Sequence, residues 1–144
     1  MIDELSIDLS RYRLNKAKDL LSQAKLLHGN EKFDGSINRS YYAIFNAIRS
    51  LLALVKLDSS KHSGVISYFD RYFVKTEIFD KRFSKIAHSA FDSRQDYDYE
   101  DFYIPIKEES QNQIEDSENF ISEVEIKIKL LIDNKINLPE INAS

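Results

Sequence analysis

The chain has 144 residues, 42% of them hydrophobic, with nine Phe, eight Tyr, three Gly, two Pro and no Cys. That length fits one domain with a sizeable core, and so few turn formers leave little punctuation for a many-stranded β fold. The lack of cysteine excludes a disulfide framework, a thiolate zinc site and a Cys nucleophile, while a net charge of −4 disfavours loose binding to nucleic acid over a broad basic surface.

Residues 1–13 hold no apolar leader, and no stretch is long enough to span a bilayer, so a cytoplasmic setting without membrane contact is expected. The spacing predicts a first helix from about Leu9 to Leu27, with Leu14, Ala17, Leu21, Ala24 and Leu27 on one stripe and Gly29 as its C-terminal cap. A second helix is predicted over about Phe33–Lys56. Its apolar stripe is Ile37, Tyr41, Ile44, Ile48, Leu51 and Val55, and a second, polar stripe is Arg39, Tyr42, Asn46 and Arg49. A short helix follows near His62–Phe73, with Ser60 in its N-cap region. The fourth helix is read over about Ile78–Asp92, with Phe79, Phe83, Ile86, Ala87 and Ala90 facing inward.

Ser93 to Ile104 lacks an apolar period and reads as a polar, tyrosine-rich connection. Pro105 suits the first turn of a last helix, which runs to about Asp133 on Ile114, Ser117, Ile121, Val124, Ile128 and Leu131. The expected architecture is all-α: an antiparallel bundle of about five helices spanning residues 1–133, with a flexible C-terminal tail over 134–144. The seven-residue spacing in the second and last helices also suits a dimer. Charge is uneven, because residues 101–144 carry 4 Lys/Arg against 10 Asp/Glu. The acidic last helix reads as a solvated face, so any RNA contact needs a small basic cleft elsewhere.

Two groups of residues could carry chemistry. Ser93-Arg94-Gln95-Asp96-Tyr97-Asp98-Tyr99-Glu100-Asp101-Phe102-Tyr103 packs one guanidinium, three phenols and several carboxylates into about three turns. Its bland alternative is a solvated connection in which Arg94 pairs with a nearby carboxylate. The polar stripe of the second helix could line a groove for phosphate, since guanidinium groups bind phosphate through paired hydrogen bonds. An exposed face or a dimer contact is the alternative there. His28, His62 and His88 lack metal-ligand spacing, so no metal and no cofactor are expected. No Gly-rich phosphate loop is present. His62, at the start of the short helix, is placed to make a helix-end hydrogen bond or to reach across the bundle.

The run Asn38-Arg39-Ser40-Tyr41-Tyr42-Ala43-Ile44-Phe45-Asn46-Ala47 resembles a signature of HEPN domains. Lys61-His62-Ser63-Gly64-Val65-Ile66 with Phe69 and Phe73-Val74-Lys75-Thr76 is similar to a second block of one HEPN subfamily. Ser93-Arg94-Gln95 leading to Asp98-Tyr99 and Phe102 looks like a third. The blocks stand in order and cover roughly residues 10–130.

The resemblance implies a helical bundle, a homodimer, and a small nucleotidyltransferase as partner in a toxin–antitoxin or defence pair. In active members the toxin is a metal-independent ribonuclease whose motif is an Arg, four residues, then a His, often with a Tyr two positions later. Arg94 matches the Arg, but Tyr99 stands at the His position and Asp101 at that of the following Tyr. Arg94, Tyr99 and Asp98 are thus the implied catalytic positions. Arg39, Tyr42, Arg49 and His62 are the candidate nucleotide- or RNA-binding residues. Tyr97, Tyr99 and Tyr103 are candidate hydroxyls for modification by the nucleotidyltransferase. Tyr, with a reference pKa of about 10, is a poor base at neutral pH, so cleavage would need a shifted Tyr or a borrowed His62. The alternative is a non-catalytic subunit that binds the nucleotidyltransferase and helps hold its nucleotide or substrate. A third is a plain helical dimerisation module.

Overall fold

Asp3 sets the start of the first helix, α1 (Glu4–Gly29): its carboxylate accepts from the Ser6 backbone N–H at 2.8 Å. The helix therefore begins about a turn and a half before the expected start at Leu9, because a cap rather than hydrophobic period places an N-terminus. At the other end, Gly29 lies inside the last turn, and Glu31 takes the left-handed conformation at φ 60°. The Lys32 N–H closes back on the Leu27 carbonyl at 2.8 Å. The expectation that Gly29 caps the helix is corrected: the Cβ strain of a left-handed residue is carried by Glu31 instead.

The computed structural model describes residues 1–99, 101 and 104–142, and for residues 96–99 the backbone alone. After α1 come α2 (Phe33–Leu54), α3 (His62–Phe69), a single π-helical turn (Asp70–Val74), α4 (Lys81–Tyr99) and α5 (Lys107–Ile132). The architecture is all-α, a five-helix bundle, with no strand among the described residues. Also among them, no helix is long and apolar enough to cross a membrane.

The three-residue link from α1 to α2 folds them into an antiparallel hairpin. The Ser36 hydroxyl donates to the Ala24 carbonyl at 2.8 Å, and Arg13 Nη1 donates to the Arg49 carbonyl at 3.0 Å. Helix α5 also runs antiparallel to α1, as the Lys18–Glu125 and Lys25–Glu118 ion pairs record. It therefore runs parallel to α2, and the Ser117 hydroxyl donates to the Ser40 carbonyl between them at 2.9 Å. Helix α4 is antiparallel to α5, with Phe83 against Phe120 near one end and Gln113 donating to Ser93 near the other.

Helix α2 is the hub, packed on α1, α3, α4 and α5. Fifteen of its 22 residues are buried, because apolar and small side chains surround it on nearly every side, as an all-round buried helix requires. A cluster of phenylalanines pins the crossing that joins α2 to α5. The Phe69 ring centroid lies 5.2 Å from Phe79 and 5.4 Å from Phe120. Aromatic pairs of this geometry add about 0.5–1.5 kcal/mol each beyond the area they bury.

The predicted fourth and fifth helices need revision at their ends. Helix α4 starts at Lys81, and Phe79 packs into the core from the turn before it, its N–H bound to the Phe73 carbonyl at 2.8 Å. The same helix continues through Tyr99, so most of the segment read as a connection is helical. The polar residues there lack an apolar period, but no Gly or Pro interrupts the run. Pro105 precedes the N-cap residue Ile106 rather than opening the first turn of α5. Past α5, Ile136 and Leu138 pack partly buried against the core.

Candidate functional site

Tyr41 and Tyr42 are consecutive on α2, and a helix turns about 100° between neighbours. Tyr41 is fully buried, whereas Tyr42 stays partly open toward α4. The two rings meet edge to face, 5.0 Å apart. Arg94 of α4 lies across both, its Cζ 5.6 Å from each centroid, and its Nη2 donates to the Tyr42 hydroxyl at 3.2 Å. Cation–π contacts of this kind contribute about 0.5–2 kcal/mol, more as water is excluded. Arg94 is half-buried.

His62 completes the cluster from α3. Its Nδ1 lies 3.0 Å from the Tyr41 hydroxyl, and its ring sits 4.4 Å from Phe45, 5.8 Å from Tyr41 and 5.7 Å from Tyr42. The bond has a clear cause: a Tyr in the core stripe must find a partner for its hydroxyl. Burial, and then the charge of Arg94, push the His62 imidazole below its ordinary value of 6.5, so the ring is neutral at pH 7. Burial is likewise the main reason the Tyr41 phenol is raised far above its ordinary value; Tyr42 adds to this and Arg94 opposes it. Tyr41 thus stays protonated and acts as a hydrogen-bonding prop.

Gly64 places His62. A Cβ there would fall 2.2 Å from Ser59 Oγ and 2.9 Å from Ser59 Cβ. Only the absence of a side chain lets the 57–61 link fold so closely over the first turn of α3. Ser59 Oγ in turn accepts from the Lys61 N–H at 3.2 Å.

The other candidate residues of α2 do not join this cluster. Arg39 turns to α1, its Nε donating to Gln23 at 3.1 Å and its Nη1 to Asn38 at 2.8 Å. Asn46 donates back to the Tyr42 carbonyl of its own helix at 2.8 Å. Arg49 binds Asp58 at 3.2 Å, where Arg13 also reaches the same oxygen at 3.6 Å. Burial opposes ionisation of Asp58, but the Ser59 N–H and the Arg49 and Arg13 guanidiniums together hold its carboxyl below the usual value. The polar stripe thus divides into three neighbourhoods, and only Tyr42 shares one with Arg94. The side chains of Tyr97, Asp98 and Tyr99 and all of Tyr103 lie outside the described residues.

Sequence reasoning placed Tyr41 on a purely apolar stripe and passed over its hydroxyl and its neighbours Phe45 and Phe91. The Phe91 ring lies 6.0 Å from Tyr41. The signal that could have found them was a Tyr at an inward position with a His available on the next element.

A separate polar group lies at the start of α4. Asp70, on the π-helical turn, accepts from the Ser84 hydroxyl at 2.6 Å, and its other oxygen lies 2.7 Å from His88 Nε2. It borders an open cleft of about 1120 Å³ lined by Lys75, Lys81, Arg82, Lys85 and Lys127 among others. That cleft touches none of the Arg94 cluster. Among the described residues no three His, Asp or Glu side chains converge as metal ligands would.

A family model described as the HEPN domain matches residues 10–127, a span that includes Tyr41, Tyr42, His62 and Arg94. A UPF0332 protein of Thermotoga maritima is 36% identical over 124 residues, which cover 86% of this chain and 92% of that protein. A protein of Methanocaldococcus jannaschii named as a candidate toxin is 31% identical over 116 residues, 81% of this chain and 86% of the relative. A second candidate toxin of that organism is 33% identical over 96 residues, 67% of this chain and 65% of the relative.

Proposed function

The chain belongs to the HEPN domain family, and on that premise we propose that it is a toxin-like HEPN protein binding RNA, with Arg94 as the phosphate-contacting residue and metal-independent ribonuclease action as its chemistry. The observation that carries this reading is the posture of Arg94. Its guanidinium is spread over two tyrosine rings and tied to the Tyr42 hydroxyl, half-buried beside a neutral imidazole. A cation held beside the partly open Tyr42 ring and a neutral imidazole suits a nucleotide, whose phosphate can meet the guanidinium. The candidate-toxin names of two relatives point the same way.

The reading extends to partners. A homodimer and a small nucleotidyltransferase encoded as the other half of a toxin–antitoxin pair are proposed from the family resemblance. Tyr97, Tyr99 and Tyr103 are the proposed hydroxyls for modification. The presence of Tyr99 at the position of the motif histidine favours a second reading, a non-catalytic subunit that binds the nucleotidyltransferase and helps hold its nucleotide. Incubating the purified protein with single-stranded RNA in the presence of EDTA tests the first reading. Cleavage is expected, with a loss of about 10²-fold or more in Arg94→Ala, the scale of removing one transition-state charge contact. RNA left intact, together with co-purification of the nucleotidyltransferase, would favour the second.

A further inference from the structure

We propose that His62 is the proton-accepting group of this site, its Nε2 taking the 2′-hydroxyl proton of an RNA whose phosphate lies against Arg94. The inference rests on the ribonuclease reading and supplies the base that Tyr99 does not.

Three observations converge. His62 and Arg94 flank the same pair of tyrosine rings, each within 6 Å of both centroids. They approach from different helices, and the charge of Arg94 is felt at the imidazole, so a cation and a base both stand beside Tyr42. The imidazole is oriented: Nδ1 is engaged by the Tyr41 hydroxyl at 3.0 Å, and Nε2 has no hydrogen-bond partner among the described residues. In the tautomer whose Nδ1–H donates to the Tyr41 oxygen, Nε2 carries the lone pair a base needs, and this is the tautomer the proposed step uses. Tyr41 is the positioning residue here. Its phenol cannot drift, because it is fully buried within the core.

The ring is also in the right protonation state. The charged and titratable groups facing it among the described residues are Tyr41 and Tyr42 of α2 and Arg94 of α4, with exposed Lys61 beside it in the chain. None of these is a carboxylate that would keep a proton on the ring. Burial and then the charge of Arg94 hold the imidazole below its ordinary value, so the ring is a neutral base at pH 7.

The step balances without a metal or a redox partner. The 2′-hydroxyl proton passes to Nε2 as the 2′-oxygen forms a bond to the adjacent phosphorus. The bond from phosphorus to the 5′-oxygen breaks, and that oxygen takes a proton from water. The products are a 2′,3′-cyclic phosphate and a 5′-hydroxyl end, and His62 returns its proton to the hydroxide left in solvent. Arg94 faces the phosphoryl oxygens as negative charge builds on them.

The test uses the full chain and a 5′-labelled single-stranded RNA. His62→Asn keeps an amide near the Nδ1 position but has no titrating nitrogen. It is expected to cleave about 10²–10⁴-fold more slowly while its RNA affinity changes less than about threefold. The kcat/KM of the wild type should fall on acidification with a midpoint below about 6.5, and that limb should be missing from the residual activity of His62→Asn. Added imidazole should partly restore His62→Ala, which no purely structural role predicts. Tyr41→Phe, which keeps the ring and removes the hydroxyl, should move the acid limb. Circular dichroism melting of each variant reads folding separately. If His62→Asn cleaves at the wild-type rate with its acid limb intact while Arg94→Ala is inactive, His62 is not the base and the Arg94 reading stands. If the wild type cleaves no RNA, the inference is overturned. Binding to Arg94→Ala then decides the rest: weaker binding leaves an RNA site, and unchanged binding removes that too.

Discussion

The two halves of α2 hold cations in opposite ways. Toward its start, Arg94 is laid on the faces of Tyr41 and Tyr42 and bonded to a phenol. Toward its end, Arg13 and Arg49 converge on one carboxylate, Asp58, and Lys56 meets Asp3 at 2.6 Å. The aromatic faces and a phenol orient the Arg94 guanidinium, whereas the Asp58 carboxylate draws two guanidiniums onto one oxygen. The difference assigns the proposed RNA contact to the aromatic half and the joining of α1, α2 and the following link to the carboxylate half. It also explains why Arg39 and Arg49, which share a helix face with Tyr42 in the sequence pattern, are occupied in holding α1 and the 57–61 link.

The largest effect is expected at Tyr41, because the aromatic half is also core. Tyr41→Ala should cost about 3–5 kcal/mol, as for other large buried rings, read as a lower urea midpoint with loss of any RNA binding. If stability changes by less than half of that, Tyr41 is not the floor of the site. Gly64→Ala comes next. The added Cβ must displace Ser59 and with it the first turn of α3, at a cost of about 1–3 kcal/mol. Cleavage should drop with little change in RNA affinity, because His62 moves while Arg94 does not.

The carboxylate half should respond more weakly and without consequence for RNA. Asp58 is half exposed, so Asp58→Asn is expected to cost only about 1 kcal/mol, and the effect should shrink in high salt. The cost is not zero because Arg13, mainly through burial and then through Arg49, is already lowered below its ordinary value. The charge of Asp58 offsets this, and its removal leaves the two guanidiniums facing each other. RNA affinity should stay at the wild-type value in both Asp58→Asn and Arg49→Ala. A marked loss in Arg49→Ala would return the second-helix stripe to the binding surface.

The smallest effect is a pH signature at the N-terminus. Lys56, then the Ser6 N–H, hold the Asp3 carboxyl down at about 2. A carboxyl depressed in the folded state favours folding above its unfolded value and loses that contribution as pH falls through the folded one. Wild-type stability should therefore fall between about pH 4 and 2 more steeply than that of Asp3→Asn, measured by urea unfolding at each pH. His62 works in the same direction in a higher window. Its folded value is below 6.5, so the neutral ring favours folding at pH 7 and that contribution fades on acidification below about 6.5.

Much of the fold was legible in the residues. The stripe Ile114, Ser117, Ile121, Val124, Ile128 and Leu131 is buried as its period requires, and so is Ile37, Tyr41, Ile44, Ile48 and Leu51 on α2. Helix ends were less legible. The left-handed residues at Glu31, Lys56, Glu77 and Asn134 are none of them glycine, so glycine marked none of these exits and Gly29 pointed to a place two residues early. The extension of α4 past Asp92 was hidden because polar residues carry no period, even though Arg94 on that stretch is anchored to α2.

Amphipathic period is a local property, and by itself it determined that this chain is all-helical and where its main buried faces lie, while Arg94 stood out through its polar segment and the resemblance to the HEPN motif. The company Arg94 keeps is not local. Its Tyr42 contact spans 52 residues and the Tyr41–His62 contact spans 21. Only the packing of α3 and α4 on α2 decided that a histidine from a separate element stands beside that arginine while two arginines of the helical stripe do not. The reason is that each buried polar group must find a partner. Tyr41 found His62 and Arg49 found Asp58, and those pairings, invisible to any periodicity, drew the boundary of the site.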